Sequence, residues 1–164
     1  MTKAVFLDRD GVINKNDDNY YVYRIKDFHL NEGIPEALKK IQENGFLIII
    51  ISNQSGIAKG IYSQSETEQV HDHLRSRLLK DGIELTEIYY CPHHPDRQKC
   101  FCRKPESLMI EKAIARFDID PGQSWMIGDS ERDVEAGKKA GLQTILVERN
   151  QDLREMVKEI IPGD

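Results

Sequence analysis

Five short runs of apolar residues recur along the chain, and they are spaced widely enough for helices to fit between them. The runs are almost continuously hydrophobic and do not alternate with polar positions, which is typical of strands buried on both faces. Strands of this kind form parallel sheets, so the pattern predicts a parallel sheet covered by helices. The predicted strands are residues 4–7, 46–51, 88–90, 125–127 and 144–147.

Helices are predicted between these strands from amphipathic spacing and from residues that begin or end helices. Residues 34–41 place their apolar side chains on one helix face, with Pro35 in the first turn. Ser63 and Glu66 have the spacing of a capping box, and the helix that they begin should continue to about Lys80. Further helices are predicted at residues 107–117, 131–140 and 151–160.

The alternation of strands and helices predicts a single doubly wound α/β domain that covers residues 1–164. The segments between the elements are too short for a large cap domain. The least regular segments, residues 14–27, 52–62 and 91–105, all follow predicted strands. In an open parallel sheet, loops at the carboxyl ends of strands surround the ligand crevice, so we expect the functional residues there.

Composition and charge narrow the range of partners. The 164 residues are 39% hydrophobic and 31% charged, and their mean hydropathy is -0.56, which predicts neither disorder nor a membrane span. The net charge of -5, with basic residues interspersed among acids, argues against a nucleic-acid partner. The first residues form too short an apolar run for a signal peptide. We therefore expect a cytoplasmic monomer that has neither a nucleic-acid nor a membrane partner.

Two sets of carboxylates follow predicted strands. Asp8 and Asp10 end the first strand, where Gly11 permits a turn, and Asp129 and Asp133 follow the fourth strand. Each set alone is also explained by turn and helix-capping preferences. If the two sets meet, their mutual repulsion requires a cation, and hard oxygen ligands suit Mg²⁺.

Polar residues at the other strand ends complete a known arrangement. Ser52 follows the second strand, and Lys104 lies near the end of the third irregular segment. With the two carboxylate sets, these residues make the chain resemble the haloacid dehalogenase superfamily over almost its entire length. The four matching motifs are Asp8-x-Asp10-Gly11, Ser52, Lys104 and Gly128-Asp129-x-x-x-Asp133.

The resemblance implies a phosphohydrolase in which Asp8 is the nucleophile and forms an aspartyl-phosphate. Asp10 would act as the general acid toward the leaving group and then as the general base for water. The same resemblance implies a catalytic Mg²⁺ held by Asp8, by the backbone carbonyl of Asp10 and by Asp129.

Three further residues receive roles from the resemblance. Ser52 and Lys104 would bind the phosphoryl oxygens, on which charge collects in the transition state. Asp133 would orient the metal site without binding the ion. Together with Asp8 and Asp10, Ser52 and Lys104 are the predicted catalytic residues.

Three cysteines and a histidine form a second candidate metal site. The four residues are Cys91, His93, Cys100 and Cys102. In a reducing compartment, their C-x-H and C-x-C spacing predicts a closed, structural Zn²⁺ site that folds a loop at residues 91–102. The alternative is that the cysteines are simply reduced and that His94 is the incidental neighbour. His71 and His73 have no partner at ligand spacing, so we expect both at the surface or at its boundary.

Within the superfamily, the chain resembles the group that contains the D-glycero-D-manno-heptose 1,7-bisphosphate 7-phosphatases and the histidinol-phosphate phosphatases. Residues 8–14, 52–58, 89–95 and 102–105 carry this likeness. The Asn-Gln-Ser-Gly-Ile-Ala run at residues 53–58 favours the heptose branch, whose substrate is a small phosphorylated sugar. The resemblance places Asn53, Gln54 and Ser55 near the sugar. It also implies that Arg103 binds the second phosphate, next to Lys104.

Three positions depart from the usual heptose-branch pattern. Ser52 replaces Thr, which preserves a hydroxyl group, and Lys59 replaces Arg. Residues 15–21 lack the Asp-His-Gly-Tyr pattern of that branch, so the resemblance assigns no sugar contact there.

Other functions remain open at this stage. A histidinol-phosphate phosphatase would share the chemistry but bind a cationic substrate, and a phosphatase for nucleic-acid 3′ ends would need a basic groove. From a different class, the chain could be a receiver domain or a catalytically inactive, zinc-stabilised interaction module. A receiver would carry its phosphorylated Asp after a middle strand, whereas Asp8 ends the first.

Overall fold

The structure, a computed structural model, describes residues 1–163 and contains a sheet of five parallel strands. The strand order is β3-β2-β1-β4-β5, which places β1 in the centre. This sheet confirms the predicted α/β fold class, and each predicted strand is present within two residues of its predicted ends. The strands are β1 (Lys3–Leu7), β2 (Phe46–Asn53), β3 (Glu87–Cys91), β4 (Trp125–Gly128) and β5 (Gln143–Leu146).

The central strand shows why these apolar runs form a parallel sheet. Ala4 and Phe6 pack into the hydrophobic core on one face, while Val5 and Leu7 pack into the core on the other. All four side chains are fully buried. Burying a large apolar side chain contributes about 1.5–3 kcal/mol, so a strand with two covered faces is hydrophobic at every position.

Helices cover both faces of the sheet, as a doubly wound fold requires. The predicted capping box is confirmed, since Ser63 Oγ accepts from the Glu66 N–H at 3.1 Å and Glu66 Oε1 accepts from the Ser63 N–H at 3.0 Å. Within residues 1–163, no helix is both long enough and apolar enough to cross a bilayer. The helices are α1 (Ile34–Glu43), α2 (Gln64–Leu79), α3 (Leu108–Phe117), α4 (Glu131–Lys139) and α5 (Val157–Ile160), with 3₁₀ turns at Ile25–Asp27 and Pro121–Gln123.

The last helix is shorter than the sequence predicts. The prediction of a helix at residues 151–160 is wrong for residues 151–156, because α5 begins at Val157. Asp152 Oδ1 accepts a hydrogen bond from the Arg154 N–H at 2.9 Å, and this local turn competes with helix formation. Leu153 and Met156 are buried in spite of the irregular backbone, so the apolar spacing reflects packing instead of a helix.

The direction of the chain across the sheet reverses at β1. From β1 the chain proceeds outward through β2 and β3, and then returns to the other side through β4 and β5. A crevice therefore forms beyond the carboxyl ends of β1 and β4, which is where ligands bind in open α/β sheets. Asp8 follows β1 and Asp129 follows β4, while Ser52 and Asn53 form the last two positions of β2.

Candidate active site

Lys104 lies at the centre of the crevice and joins three elements. Its Nζ donates hydrogen bonds to Asp8 Oδ1 at 2.8 Å, to Asp133 Oδ1 at 2.6 Å and to the Ile51 carbonyl at 2.8 Å. The side chain is almost completely buried. Residues from β1, β2, the third irregular segment and the first turn of α4 thus meet at one ammonium group.

The carboxylates of Asp8, Asp129 and Asp133 form a tight acidic cluster. One oxygen of each lies within 4.8 Å of the others. Burial raises the pKa of Asp8 to about 8, Lys104 opposes this rise, and Asp133 and Asp129 add to it. Burial and Asp133 also raise the pKa of Asp129. The protein alone therefore does not compensate these negative charges.

The donor set of this cluster fits a magnesium ion. Both oxygens of Asp133 already accept hydrogen bonds, from Lys104 Nζ and from the Ser130 N–H. Asp8 and Asp129 are the remaining carboxylates, and no residue between 1 and 163 donates a hydrogen bond to the Asp10 carbonyl. Carboxylate and carbonyl oxygens of these three residues suit a hard cation that keeps water in its other positions.

The carboxylate of Asp10 is paired with the buried guanidinium group of Arg9. Arg9 is fully buried, and its Nη2 and Nε donate to Asp10 Oδ1 at 2.7 and 3.2 Å. Asn14 Nδ2 donates to the same oxygen at 3.0 Å. The sequence analysis missed Arg9 and Asn14. The alternation of side chains gives a signal for Arg9, because a residue between two crevice-facing aspartates points into the protein, where a charge needs partners.

His71 is the inner neighbour of Arg9, and its predicted surface position is wrong. The side chain is buried, and His71 Nε2 lies 3.2 Å from Arg9 Nη1. A guanidinium group can only donate, so His71 accepts at Nε2 and carries its proton on Nδ1. Burial and the positive charge of Arg9 lower the pKa of His71 to about 3.

This histidine should make folding stability depend on acid. Unfolded His71 titrates near pH 6.5 and the folded side chain resists protonation down to about pH 3, so the unfolded state binds more protons between these values. Stability should therefore fall as the pH falls, by roughly 2 kcal/mol at about pH 5. His71→Gln should lack this loss in urea unfolding at about pH 7.5 and about pH 5. His29→Gln, a control at an exposed position, should lose as much stability at low pH as the wild type does. An unchanged loss of stability in His71→Gln would show that another group is responsible.

The predicted substrate residues surround a pocket of about 230 Å³. Ser55 and Arg103 line it, and the Arg103 Nη1 lies 3.5 Å from the His93 carbonyl. Asn53 also lines it, but its side chain accepts from the Lys104 N–H at 3.0 Å and donates to the Lys104 carbonyl at 3.2 Å. The amide of Asn53 thus fixes the backbone that carries the central lysine.

Gln54 and Ser52 are buried, whereas Asn53, Ser55 and Arg103 are partly exposed. Gln54 is 3% exposed, and its Nε2 donates to Asp10 Oδ2 at 2.9 Å and to Ser52 Oγ at 2.7 Å. Ser52 is 1% exposed and is not among the residues that line the pocket. The structure brings both predicted residues to the site, but it binds their polar groups to each other and to Asp10.

The pocket also contains side chains that the sequence analysis did not identify. Tyr20 and Tyr21 form one wall, with their ring centroids 4.9 Å apart in an edge-on arrangement. Arg132 and Arg149 also line the pocket and are exposed, and Arg149 lies near Asp129. No motif or periodicity marks these four residues, since only the folded loops bring them together.

The cysteine and histidine cluster lies beside the pocket. Cys91 Sγ is 3.7 Å from Cys100 Sγ, 3.0 Å from Cys102 Sγ and 3.4 Å from His93 Nδ1. The sulfurs of a tetrahedral zinc site lie roughly 3.8 Å apart when each Zn–S distance is about 2.3 Å. Burial and the neighbouring Cys102 thiol raise the pKa of Cys91, so a cation is needed for the thiolate form. The four residues therefore fit zinc.

Comparison with known proteins identifies the family. A family model described as HAD-hydrolase-like matches residues 101–163. The D-glycero-beta-D-manno-heptose-1,7-bisphosphate 7-phosphatase of Haemophilus ducreyi is 44% identical over 153 residues, which cover 90% of this chain and 83% of that protein. The chain belongs to the heptose-bisphosphate phosphatase family. This membership confirms the predicted resemblance to the haloacid dehalogenase superfamily and to its heptose branch.

Further members of the heptose-bisphosphate phosphatase family support the assignment. The D-glycero-alpha-D-manno-heptose-1,7-bisphosphate 7-phosphatase of Photorhabdus laumondii is 42% identical over 85% of this chain and 79% of its own length. A crystal structure of the D,D-heptose 1,7-bisphosphate phosphatase from B. bronchiseptica, complexed with magnesium and phosphate, is 30% identical with a TM-score of 0.84. That match covers 96% of this chain and 87% of the other. The Haemophilus ducreyi enzyme is named for the beta anomer of the substrate and the Photorhabdus laumondii enzyme for the alpha anomer.

Proposed function

We propose that this chain is a Mg²⁺-dependent phosphatase that removes the C7 phosphate of D-glycero-D-manno-heptose 1,7-bisphosphate. One observation carries the proposal: in an open pocket, the carboxylates of Asp8 and Asp129 lie within 4.8 Å of each other, and Asp8 is paired with the ammonium group of Lys104. A nucleophile, a cation site and a fixed positive charge are what phosphoryl transfer requires. The activities for which the family members are named support it.

The reaction would proceed in two steps on residues of this chain. First, a carboxylate oxygen of Asp8 attacks phosphorus, the bond from phosphorus to the C7 oxygen breaks, and Asp10 donates its proton to that oxygen. Second, water attacks the phosphorylated Asp8, Asp10 accepts the proton of that water, and inorganic phosphate leaves. Lys104 stabilises the negative charge of the phosphoryl oxygens in both steps. Asp8 is oriented beforehand, because Lys104 Nζ and the Arg9 N–H both donate to its Oδ1.

Two different metals would serve this enzyme. Asp8, Asp129 and the Asp10 carbonyl would hold Mg²⁺, which reduces the repulsion between an anionic nucleophile and an anionic phosphate. The second ion, Zn²⁺, would be structural, because its four protein ligands leave no position for water. The last of those ligands, Cys102, directly precedes Arg103 and Lys104. The zinc loop would therefore fix the positions of Arg103 and Lys104 in the active site.

Charge at the pocket favours a bisphosphate over histidinol phosphate. The lining residues include four carboxylates and four cationic side chains, so bound Mg²⁺ would leave the site net positive. Within residues 1–163, the arginines at positions 103, 132 and 149 have no acidic partner at ion-pair distance. Unpaired arginines attract a second phosphate and repel the cationic group of histidinol phosphate.

The test is phosphate release from the heptose 1,7-bisphosphate, the corresponding 7-monophosphate and histidinol phosphate, with Mg²⁺ present. We expect the bisphosphate to give the highest kcat/KM. A preference for histidinol phosphate would overturn the substrate assignment, and no release from any phosphate monoester would overturn the phosphatase itself. Both anomers of the bisphosphate belong in the test, since the family includes enzymes named for each.

We propose that the second phosphate is bound by Arg103, as the resemblance implies, together with the rim residue Arg149. The stem of Arg149 packs against Gly11 beside Asp129, so that a methyl group at Gly11 would lie 3.1 Å from Arg149 Cγ. Charge-assisted hydrogen bonds contribute about 1.5–3 kcal/mol. Arg149→Ala should therefore lower kcat/KM for the bisphosphate by roughly 10-fold or more, and that for the 7-monophosphate by less than about 3-fold.

The matched control for this prediction is Arg77→Ala, which removes an exposed arginine on α2 that is paired with Asp81. This control should leave kcat/KM unchanged for both the bisphosphate and the 7-monophosphate. Equal losses on the two substrates in Arg149→Ala would assign Arg149 to the reacting phosphate, and no loss would remove it from the substrate site.

A further inference from the structure

A buried chain of hydrogen bonds connects Tyr62 to the predicted acid and base, Asp10. The Tyr62 hydroxyl lies 2.5 Å from Gln54 Oε1, and Gln54 Nε2 lies 2.9 Å from Asp10 Oδ2. Tyr62 is 5% exposed and Gln54 is 3% exposed. The two residues are therefore part of the protein wall behind Asp10 and are not loose groups at the pocket mouth.

The direction of each hydrogen bond in this chain is fixed by chemistry. A carboxylate only accepts, so Gln54 must present its NH₂ group to Asp10 and its carbonyl oxygen to Tyr62. Tyr62 must then donate its hydroxyl proton, and burial raises the pKa of Tyr62 so that the hydroxyl keeps that proton. Without the hydroxyl, Gln54 Oε1 would be buried and unpaired, which favours rotation of the amide away from Asp10.

The Tyr62 ring is itself held in place. It stacks on Tyr23 with the ring planes 6° apart and the centroids separated by 5.1 Å. The ring also packs so closely on Gly56 that a side chain at position 56 would overlap it. A stacked ring, a glycine and a short hydrogen bond thus fix the position of one hydroxyl group.

The two oxygens of Asp10 have different environments. Oδ1 accepts three hydrogen bonds, two from Arg9 and one from Asn14, and has no room for another partner. Within residues 1–163, Oδ2 accepts one hydrogen bond, from Gln54. Oδ2 is therefore the oxygen that keeps a lone pair available to the pocket.

We propose that Gln54 and Tyr62 are positioning residues that hold Asp10 Oδ2 toward the leaving group. This inference rests on the proposed phosphatase function. The proton moves from Oδ2 to the C7 oxygen as the phosphorus–oxygen bond breaks, and a proton of the attacking water returns to Oδ2 in the second step. Gln54 and Tyr62 line the pocket but neither give nor take the transferred proton, so their effect on this step passes through Asp10.

The test uses Tyr62→Phe, which retains the stacked ring and removes only the hydroxyl. The kcat/KM of the Mg²⁺-loaded enzyme includes only the steps up to leaving-group departure. Alkoxide leaving groups need a proton, whereas the nitrophenolate of p-nitrophenyl phosphate leaves without one. We expect kcat/KM to fall by roughly 10- to 100-fold for the heptose bisphosphate and by less than about 3-fold for p-nitrophenyl phosphate.

The controls separate positioning from folding and from sugar binding. Tyr23→Phe removes a neighbouring hydroxyl that has no hydrogen-bond partner within residues 1–163. This substitution should leave kcat/KM unchanged for both substrates. Gln54→Leu should likewise lower kcat/KM for the heptose bisphosphate much more than for p-nitrophenyl phosphate. The Tm of this variant checks that it is folded. A higher KM for the sugar substrate with kcat unchanged would instead assign Gln54 to sugar contact, and equal losses on both substrates would also overturn the inference. Failure of the wild-type enzyme on both substrates would refute the phosphatase proposal instead.

Discussion

Asp8→Asn should abolish phosphate release and leave the fold intact. The carboxylate is the proposed nucleophile, and an amide cannot form the phosphoryl-enzyme bond, so we expect turnover to fall by roughly 10⁴-fold or more. The fold should survive, because Lys104 retains Asp133 and the Ile51 carbonyl as partners. The measurements are phosphate release with Mg²⁺ and thermal unfolding of the same preparation.

The control for this substitution is Asp72→Asn, at an exposed position on α2 that is outside the pocket. It makes the same chemical change and should leave turnover unaffected. Phosphorylated protein should be trapped by acid quenching of the wild-type enzyme and should be absent from Asp8→Asn. Residual activity within about 100-fold of wild type would assign the nucleophile to another residue.

Of the proposed substitutions, Cys100→Ser should lower the thermal stability of the protein most. The zinc loop, residues 91–102, has almost no apolar core of its own, so ligand bonds would supply most of its folding energy. We expect zinc content well below one ion per chain and a fall in Tm of about 5–10 °C, since about 1 kcal/mol corresponds to ~2–4 °C at this size. Activity should also fall, because the loop leads directly into Lys104.

His94→Ala is the matched control for the zinc prediction. His94 is adjacent to His93, but its Nδ1 accepts from the Asp96 N–H at 3.1 Å and it is not among the four clustered ligands. Zinc content and Tm should therefore stay close to wild type in this variant. Unchanged zinc stoichiometry in Cys100→Ser would remove Cys100 from the site, and zinc loss in His94→Ala would exchange the two histidines.

The amino-acid sequence by itself determined the architecture. The strands are identifiable because residues buried on both faces must be apolar at consecutive positions, and Ser63 and Glu66 mark a helix start because their hydrogen bonds span only three residues. The zinc cluster is predictable for the same reason, since its ligands lie within a dozen residues of each other. The first six residues of the predicted helix at 151–160 show the limit, because buried spacing there does not mean helix.

The chemistry-bearing motifs were also identifiable, but their supporting contacts were not. The sequence places Asp8, Lys104 and Asp129 at the ends of strands or loops that a parallel sheet must bring to one edge. It does not show that Gln54 faces Asp10, that His71 accepts from Arg9, or that Arg149 lies at the pocket rim. The sequence predicts a surface or boundary position for His71, because the periodicity of a helix reports only on residues of that helix.

The physical reason is the separation of the partners along the chain. Gln54 and Asp10 are 44 residues apart, and Arg9 and His71 are 62 residues apart. Hydrophobic periodicity and motif spacing report on neighbours within one element, whereas these contacts depend on strand register and on how each loop packs. The sequence therefore determined which groups carry the chemistry, and the tertiary structure alone decided which oxygen of Asp10 is held and which is left open to the pocket.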